Sequence, residues 1–401
     1  MIPLDAVVIG AGAAGLFCAG IAGQRGLRVA LLDHSPKLAE KIRISGGGRC
    51  NFTNLATTPA QFLSENRAFC RSALARYGAA DFIALVRRHG IGFHEKHRGQ
   101  LFCDDSSEQI IRMLLAECDA GNVQRHQPCR VSAVRTECGQ WIAETDHGTM
   151  RASSLVIATG GLSIPKLGAT DFGLRVARQF GHRVVEPRPG LVPLTFDSHT
   201  WAPFGALSGL ALGVEIQAGE HPHACQFTED LLFTHRGLSG PAVLQASSYW
   251  RPGQCLRLDL SAGQGIETTL LESKGKARRP LGVELAQYLP QRLAQTWLDM
   301  QGLDPKRQLH EVRDSELVRL AQSLRRWTLM PSGSEGWRKA EVMAGGVDTR
   351  EVDSRSLGSR RAPGLYFIGE VLDVTGWLGG YNFQWAWSSA AACARELPSA
   401  H

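Results

Sequence analysis

The first 33 residues alternate apolar runs with glycine-rich breaks in the order strand, helix, strand. Residues 4–10, LDAVVIG, form an apolar run of buried-strand length. A stretch of helix length continues to Gly26, and a second strand-like run, 28–32, ends at Asp33. This order predicts a strand, helix and strand unit with parallel strands.

Two later segments show the same pattern of a buried strand that ends in glycine. Residues 155–161 are LVIATGG, and residues 364–370 are GLYFIGE. Residues 379–382, GGYN, then open an apolar, alanine-rich helix. Because the carboxyl ends of parallel strands meet at one edge of a sheet, these glycine turns are expected to face the same ligand.

The middle of the chain has a different pattern of apolar and polar residues. Residues 59–118 favour helices, whereas residues 190–260 alternate like antiparallel strands and residues 266–330 favour helices again. The predicted fold class is α/β, with a Rossmann-like dinucleotide-binding domain interrupted by an inserted β-rich plus helical domain. The expected boundaries are 1–189 for the first part of the binding domain, 190–342 for the insert and 343–401 for the last part.

Gly10, Gly12 and Gly15 form a G-x-G-x-x-G fingerprint in the strand and helix context that dinucleotide binding requires. Gly10 permits a tight turn, Gly12 lets the backbone approach a pyrophosphate, and Gly15 lets the helix pack closely on the strand. The pyrophosphate then lies at the helix N-terminus. Asp33 is placed to accept hydrogen bonds from a ribose.

Residues 44–54, ISGGGRCNFTN, indicate which dinucleotide binds. Three consecutive glycines, 46–48, let backbone amides approach a flat or anionic group, with the cation of Arg49 beside them. Lys41 is a second charge partner for a pyrophosphate or a reduced flavin. Cys50 fits a buried, inert cysteine better than a redox thiol, because no partner cysteine is nearby. The prediction is FAD, and the alternatives are an ordinary glycine-rich loop and solvated salt bridges.

Composition and charge narrow the class of protein. Of 401 residues, 43% are hydrophobic and 20% are charged, which is typical of a globular chain, and the length excludes a mini-protein that needs staples. The formal net charge of +6 is a mild excess that does not by itself imply a nucleic-acid partner. The short basic run at 274–279 lacks interleaved aromatic residues, so no nucleic-acid partner is expected.

Cysteine usage and the N-terminal segment indicate the compartment. The ten cysteines include no C-x-x-C pair, which favours a reducing compartment. Residues 4–23 contain glycines and lack a basic flank, so they fit a strand and helix better than a membrane span or a signal peptide. We predict a cytoplasmic protein without a membrane partner. No metal is expected, because His221 and His223 are separated by a proline and have no further ligand cluster.

The motifs above, together with FTHRGLSGPAVLQ at 233–245, resemble those of the bacterial YhiN/BaiN-type flavoproteins. The resemblance covers nearly the whole chain, and its SGGGRCN and GGYN blocks are more specific than the glycine fingerprint. This family belongs to the glutathione-reductase-like superfamily of FAD-dependent oxidoreductases and includes members described as aminoacetone oxidases and bile-acid intermediate reductases. The resemblance implies bound FAD and redox chemistry at the flavin, but no particular substrate.

The predicted FAD-binding residues follow from the strand-end motifs and the family layout. They are Gly10, Gly12, Ala13, Ala14, Gly15, Asp33, His34, Lys41, Gly47, Gly48, Arg49, Cys50, Asn51, Val131, Ala158, Thr159, Gly160, Gly369, Glu370, Asp373, Gly380, Tyr381, Asn382 and Phe383. The layout implies an active face where the insert and the FAD domain meet, which makes His235 and Tyr381 the candidate catalytic residues. A structural turn histidine is an equal alternative for His235.

The predicted function is that of an FAD-dependent oxidoreductase that passes hydride or electrons between the flavin and a small organic substrate. The other electron partner is either O2 or NAD(P)H, which would bind transiently because the chain has a single glycine fingerprint. The alternatives from other classes are a flavoprotein that modifies or binds RNA and a non-catalytic flavin sensor. A monomer or small homo-oligomer is expected.

Overall fold

The structure is a computed structural model that describes residues 4–220 and 224–399. Its strands, in chain order, are β1 Leu4–Ile9, β2 Val29–Leu32, β3 Asn51–Asn54, β4 Phe62–Leu63, β5 Phe93–Glu95, β6 Gln100–Cys103, β7 Gln124–His126, β8 Val131–Glu137, β9 Gln140–Thr145, β10 Gly148–Ile157, β11 Val184–Gly190, β12 Leu194–Thr195, β13 Ala211–Ala218, β14 Cys225–Phe233, β15 Gly237–Ser239, β16 Leu256–Asp259, β17 Trp327–Leu329, β18 Gly333–Ser334, β19 Val342–Val347, β20 Leu365–Phe367 and β21 Thr375–Gly376.

The α-helices lie mostly between these strands. They are α1 Ala13–Gln24, α2 Glu40–Ile44, α3 Cys70–Arg76, α4 Ala79–Arg88, α5 Glu108–Ala120, α6 Phe172–Gln179, α7 Ser198–Trp201, α8 Pro241–Ser247, α9 Ile266–Lys276, α10 Leu281–Leu285, α11 Gln291–Met300, α12 Asp314–Arg325 and α13 Tyr381–Glu396. The described part of the chain divides into two compact units. The first unit comprises Met1–Arg188 and Val342–His401, and the second comprises Pro189–Glu341.

The first unit is built on a seven-stranded sheet. Its parallel part has the order β7-β2-β1-β10-β20, and β9 and β8 extend it with antiparallel pairing. The register pairs Ile9 with both Leu32 and Ile157, and pairs Ile157 with Phe367. β2 is buried at all four positions, as expected for a parallel strand covered on both faces. The predicted strand, helix and strand unit is therefore confirmed.

Residues 59–118 are less helical than the sequence predicts. α3, α4 and α5 are present, but β5 and β6 form a hairpin that joins β3 in a three-stranded antiparallel sheet of order β3-β6-β5. β5 has three residues and β6 has four, which is too short to give a clear alternating pattern in the sequence. Gly99, with a φ of 78°, lies in the turn that closes the hairpin.

Helix α13 fixes the elements that surround the parallel strand ends. The Trp385 indole N–H donates to the Gly369 carbonyl at 3.0 Å, and the Trp387 indole N–H donates to the Phe52 carbonyl at 2.8 Å. The Trp387 ring stacks on Phe82 with the centroids 4.3 Å apart. Both tryptophans are buried. Their packing ties the turn after β20 and the strand β3 to one rigid helix.

The second unit is a seven-stranded antiparallel sheet with helices. The strand order is β17-β16-β13-β14-β15-β12-β18, and α9 to α12 follow in sequence between β16 and β17. Its core contains the rings of Trp201, Phe204, Phe233, Trp297 and Trp327. The fold class predicted for the inserted segment, β-rich and then helical, is confirmed.

Within the described residues, no helix is long and apolar enough to span a lipid bilayer. All ten cysteines are free thiols, and eight of them are buried or partly buried.

Candidate functional site

The carboxyl ends of four parallel strands bring the predicted glycine motifs to one edge of the first unit. Gly10 follows β1, Asp33 follows β2, residues 158–161 follow β10 and residues 368–370 follow β20. The side-by-side register of these strands places the four turns next to one another. Open α/β sheets bind dinucleotides at such an edge.

The three fingerprint glycines have two different roles. Gly10 has a φ of +105°, and a Cβ there would lie 2.5 Å from the Ala158 carbonyl oxygen. A Cβ at Gly15 would lie 1.8 Å from the Gly10 carbonyl oxygen. A Cβ at Gly12, by contrast, would meet no atom within 4 Å. Gly10 and Gly15 are therefore needed for packing, whereas Gly12 leaves its backbone open to a ligand.

The first turn of α1 suits an anion. Gly12 is its N-cap, no side chain caps the helix, and its first turn contains no acidic residue. Ala13 and Ala14 are the first two helical residues, so their N–H groups belong to those that have no partner within the helix. A pyrophosphate at this position would satisfy them.

Asp33 is held in place by the backbone around it. Its Oδ2 accepts from Ala11 N at 2.6 Å and its Oδ1 accepts from Ser35 N at 2.8 Å. A carboxylate has further lone pairs for a ribose. Cys129 N donates to the Asp33 carbonyl at 2.7 Å, which brings the start of β8, with Val131, to this end of the site.

The side chains of His34 and Thr159 both contact other parts of the protein, although His34 is exposed and Thr159 Oγ1 is buried. His34 Nε2 lies 3.0 Å from the Gly168 carbonyl. Thr159 Oγ1 is buried and has no hydrogen-bond partner within the described residues. Thr159 Oγ1 packs closely against Gly173 of α6. A Cβ at Gly173 would lie only 2.3 Å from this oxygen. Thr159 can therefore offer its backbone to a ligand, but not its hydroxyl.

The SGGGRCN loop presents open backbone beside an arginine. Gly46, Gly47 and Gly48 all have φ values between 58° and 86°. A Cβ at Gly46 would lie 2.8 Å from Phe102, whereas a Cβ at Gly47 or Gly48 would meet no atom within 4 Å. Arg49 is exposed, and within the described part of the chain its side chain has no ion pair or hydrogen bond. Gly46, one of the three glycines predicted to approach a ligand, instead lets the loop pack on Phe102.

Cys50 is buried, and burial raises the pKa of its thiol well above the usual range. We expect iodoacetamide at pH 8 to modify the exposed Cys138 and Cys255 while Cys50 stays unmodified, because the thiolate is the reactive form. Mass spectrometry of tryptic peptides measures this. Rapid labelling of Cys50 in the folded protein would show that the thiol is accessible and activated.

Lys41 and Glu370 form an ion pair that also holds two neighbouring segments. Lys41 Nζ lies 2.7 Å from Glu370 Oε2 and 2.5 Å from Ser163 Oγ. Glu370 Oε1 accepts from Met343 N at 2.8 Å. A Cβ at Gly160 would lie 3.7 Å from this carboxylate. Ser163, which no sequence motif predicts, is buried although it follows a glycine turn.

The GGYN segment packs directly on β3. A Cβ at Gly380 would lie 2.4 Å from the Thr53 carbonyl oxygen, so glycine is required there. With its amide oxygen oriented towards Gly380, Asn51 accepts from Gly380 N at 3.2 Å. Asn54 Nδ2 donates to the Gly379 carbonyl at 2.9 Å. Asn54, which is absent from the predicted site residues, therefore joins the end of β3 to the GGYN segment.

The side chains that follow Gly380 shape the loop. Asn382 Oδ1 accepts from Gly376 N at 2.8 Å, and its Nδ2 donates to the Gly376 carbonyl at 2.8 Å. Phe383 stacks on Trp387 with centroids 5.8 Å apart. Tyr381 is buried and meets Phe62 edge-on at 6.3 Å. The segment can therefore offer backbone amides, whereas the Asn382 side chain is already used.

Asp373 is buried near the start of this loop. Its Oδ2 accepts from Glu65 N at 2.8 Å, and Ser64 Oγ donates to it at 3.4 Å. Burial and the negative charge of Glu65 raise its pKa to about 6. The Asp373 side chain thus contacts the segment after β4, and its predicted contact with the cofactor stays a prediction.

The Asp373 carboxyl gives a pH prediction. The folded protein keeps this proton up to about pH 6, whereas the unfolded chain releases it near the ordinary pKa of 3.8, so the group's contribution to stability falls as the pH rises between these values. We expect the free energy of unfolding of Asp373→Asn, relative to the wild type, to rise by about 1 kcal/mol from pH 5 to pH 8. Urea unfolding of both proteins at pH 5 and at pH 8 measures these free energies. If the two proteins differed by the same free energy of unfolding at both pH values, the prediction would be wrong.

His235 belongs to the second unit. It is exposed in the turn between β14 and β15, where Thr234 Oγ1 donates to the Gly237 carbonyl at 2.9 Å. The catalytic roles of His235 and Tyr381 stay predictions. The absence of a metal also stays a prediction, and His221 and His223 lie outside the described residues. Potential ligand atoms of Cys129, Asp146 and His147 lie within 4.8 Å of one another, with Asp146 and His147 exposed.

The residues at the strand ends fit an FAD. The open backbone at Gly12 and the uncapped first turn of α1 would hold the pyrophosphate, and Asp33 would hold the adenosine ribose. The open backbone at Gly47 and Gly48, with the cation of Arg49, would lie at the flavin end. All of these groups belong to the first unit.

Comparisons with known proteins cover nearly the whole chain. The family model described as HI0933-like protein Rossmann domain matches residues 4–396. A ribosomal RNA dihydrouridine synthase of Escherichia coli (strain K12) is 50% identical over 397 residues, which is 99% of this chain and 98% of that protein. A protein of the same description from Haemophilus influenzae is 46% identical over 398 residues, 98% of each chain. A 3-dehydro-bile acid delta(4,6)-reductase of Clostridium scindens is 27% identical over 410 residues, 98% of this chain and 99% of that protein.

Proposed function

The chain belongs to the HI0933-like family of Rossmann proteins, and from this membership and the geometry of the site we propose that it is an FAD-dependent reductase that converts a uridine of ribosomal RNA to dihydrouridine. The membership confirms the family resemblance and the Rossmann-type α/β fold. The observation that carries the proposed substrate is the 50% identity to the Escherichia coli dihydrouridine synthase over nearly the full length of both chains.

This proposal replaces the small organic substrate of the sequence analysis with an RNA nucleotide, and so departs from the expectation of no nucleic-acid partner. The RNA-modifying flavoprotein, which the sequence analysis kept as an alternative, becomes the preferred function. Reduction of a small molecule is the second candidate. It is supported by the 27% identity to the bile acid reductase.

The reaction adds one hydride and one proton across the C5–C6 double bond of uracil. FAD, when bound, supplies hydride transfer, and a nicotinamide is the proposed source of that hydride. The chain contributes binding and electrostatics. The first turn of α1 and Asp33 anchor the adenosine diphosphate end, and the Gly47 and Gly48 amides with the Arg49 cation favour negative charge at the opposite end.

The Lys41–Glu370 pair stabilises the arrangement of these loops. Glu370 holds Lys41, Ser163 and the backbone of Met343 together, which fixes segments from four parts of the sequence. A fixed loop keeps its amides oriented without reorganisation during the reaction. Removal of the Glu370 carboxylate would leave the Lys41 cation without its ion-pair partner.

Anaerobic flavin spectroscopy distinguishes the two candidate substrates. The protein is loaded with FAD, reduced with NADH or NADPH, and mixed either with ribosomal RNA from cells that lack this protein or with a 3-dehydro-bile acid that carries the Δ4,6 double bonds. We expect the RNA to restore the oxidised flavin absorbance much faster than the steroid does. Rapid reoxidation by the steroid and none by the RNA would overturn the proposed function in favour of the second candidate.

A further inference from the structure

A basic hairpin turn lies beside the GGYN segment of the first unit. Lys96, His97 and Arg98 occupy the turn between β5 and β6, and all three are exposed. Lys96 Nζ lies 5.4 Å from the centre of the Phe102 ring, so its stem runs along the hairpin. The turn therefore presents cationic side chains to solvent at one end of the three-stranded sheet.

One asparagine joins this turn to the GGYN segment. Asn54 Nδ2 donates both to the Arg98 carbonyl at 3.2 Å and to the Gly379 carbonyl at 2.9 Å. Leu55 N donates to the Gly99 carbonyl at 2.8 Å, and a Cβ at Gly379 would lie 2.9 Å from Gln100 Nε2. The basic turn and the GGYN segment are thus held together by the ends of β3 and β6.

The opposite end of the same sheet carries Arg49. The Arg49 carbonyl accepts from Cys103 N at 2.9 Å, which places Arg49 beside the far end of β6. β3 has four residues. At 3.3 Å per residue its ends are separated by about 13 Å, or about four stacked nucleotides at 3.4 Å each.

The acidic residues of this sheet have other partners. Glu95 Oε1 accepts from Gly99 N at 2.8 Å inside the hairpin, and Asp104 Oδ1 lies 2.7 Å from His94 Nδ1. Their charges are therefore partly satisfied within the protein. We define the basic rim as Arg49, Lys96 and Arg98, which occupy both ends of one sheet and flank the GGYN segment.

We propose that the basic rim binds the phosphates of the RNA strand on either side of the uridine that reaches the flavin. The inference rests on the proposed function and adds the surface that positions its substrate. Arginine and lysine are the usual partners of nucleic-acid phosphates, and such contacts fix position without reading sequence. Asn54 links the basic turn to the GGYN segment, which would face the flavin. The position of the bound RNA strand would therefore depend on the position of that segment.

The test is RNA binding by the FAD-loaded protein at several salt concentrations. The double variant Lys96→Gln, Arg98→Gln is compared with wild type by fluorescence anisotropy on a labelled fragment of ribosomal RNA. We expect about tenfold weaker binding, with the slope of log K against log salt reduced by about 0.7 for each phosphate that is no longer neutralised. The FAD content and the rate of flavin reduction by the nicotinamide should not change, since neither side chain contacts the glycine fingerprint.

A matched control is available in the second unit. Lys276 and Arg278 are a second pair of exposed basic residues, and neither of these two side chains has an ion pair or hydrogen bond in the described ranges. Lys276→Gln, Arg278→Gln should bind RNA within about twofold of wild type. If this control loses affinity and the Lys96, Arg98 variant keeps it, the RNA binds at 274–279 and the inference about the basic rim is overturned.

The two proposals fail in distinguishable ways. If the wild-type protein forms no dihydrouridine in ribosomal RNA, the proposed function fails and the inference fails with it. If the wild type forms dihydrouridine while the Lys96, Arg98 variant keeps wild-type RNA affinity and salt slope, the inference alone is overturned.

Discussion

Gly12→Val is expected to give a folded protein that purifies without FAD. A Cβ at Gly12 meets no protein atom within 4 Å, and the φ of −83° is open to valine, so the fold tolerates the side chain. The isopropyl group would fill the space beside the first turn of α1 in which a pyrophosphate would lie. Loss of two hydrogen bonds to charged oxygens, at about 1.5 kcal/mol each, weakens FAD binding by about 100-fold.

The matched control for this variant is Gly265→Val. Gly265 is the N-cap of α9, has a φ of −72°, and a Cβ there also meets no atom within 4 Å. The control should keep full FAD, since it carries the same substitution at a helix start of the second unit. The flavin content of both variants is measured after FAD loading by the ratio of the absorbance at about 450 nm to that at about 280 nm. Without bound flavin this ratio is about zero. A Gly12→Val protein with wild-type flavin content would contradict the assignment of this site.

Gly15→Ala is expected to prevent folding of the first unit. Its Cβ would lie 1.8 Å from the Gly10 carbonyl oxygen, which is a backbone atom of the turn after β1. Neither the turn nor α1 can withdraw without opening the buried contact between them. We expect a loss of more than about 3 kcal/mol in the free energy of unfolding, or an insoluble protein.

Gly275→Ala serves as the control for the effect of alanine in a helix. Gly275 lies in α9, and a Cβ there meets no atom within 4 Å. Because alanine favours helices by about 1 kcal/mol over glycine, this variant should be as stable as wild type or more stable. Circular dichroism during urea unfolding measures the free energy of unfolding of Gly15→Ala and of Gly275→Ala. A soluble Gly15→Ala protein with a wild-type midpoint would show that the contact between α1 and the turn is not tight.

The sequence predicts the glycine turns at the strand ends because their backbone geometry is local. Gly10, Gly12 and Gly15 lie within one turn and one helix, and their spacing alone defines the contact with the strand. The sequence does not distinguish Gly46, which packs on Phe102, from Gly47, which is open. That difference depends on β6, a strand more than 50 residues away along the chain.

Long-range hydrogen bonds explain why two further residues of the site could not be predicted from the sequence. Ser163 and Asn54 have no sequence signal of their own, and each is important because it joins segments that are distant along the chain. Asn382 shows the converse. Its place after two glycines suggested a contact with the flavin, yet both ends of its amide bond to Gly376.

The proposed RNA substrate could not be predicted from charge. A net charge of +6 over 401 residues is small, and the basic residues of the hairpin turn follow one another without an aromatic residue between them. Their position beside the GGYN segment depends on the pairing of β5, β6 and β3, which the short strands conceal in the sequence. The proposed RNA substrate instead rests on the full-length similarity to the two dihydrouridine synthases.

The most direct test of the proposed function is mass spectrometry of ribosomal RNA from a strain in which the gene for this protein is deleted. Dihydrouridine is heavier than uridine by two hydrogen atoms. We expect one ribosomal RNA fragment to lack this added mass in the deletion strain, to regain it when the wild-type gene is restored, and not to regain it with Gly12→Val. Identical dihydrouridine content in the deletion strain and its parent would overturn the proposed function.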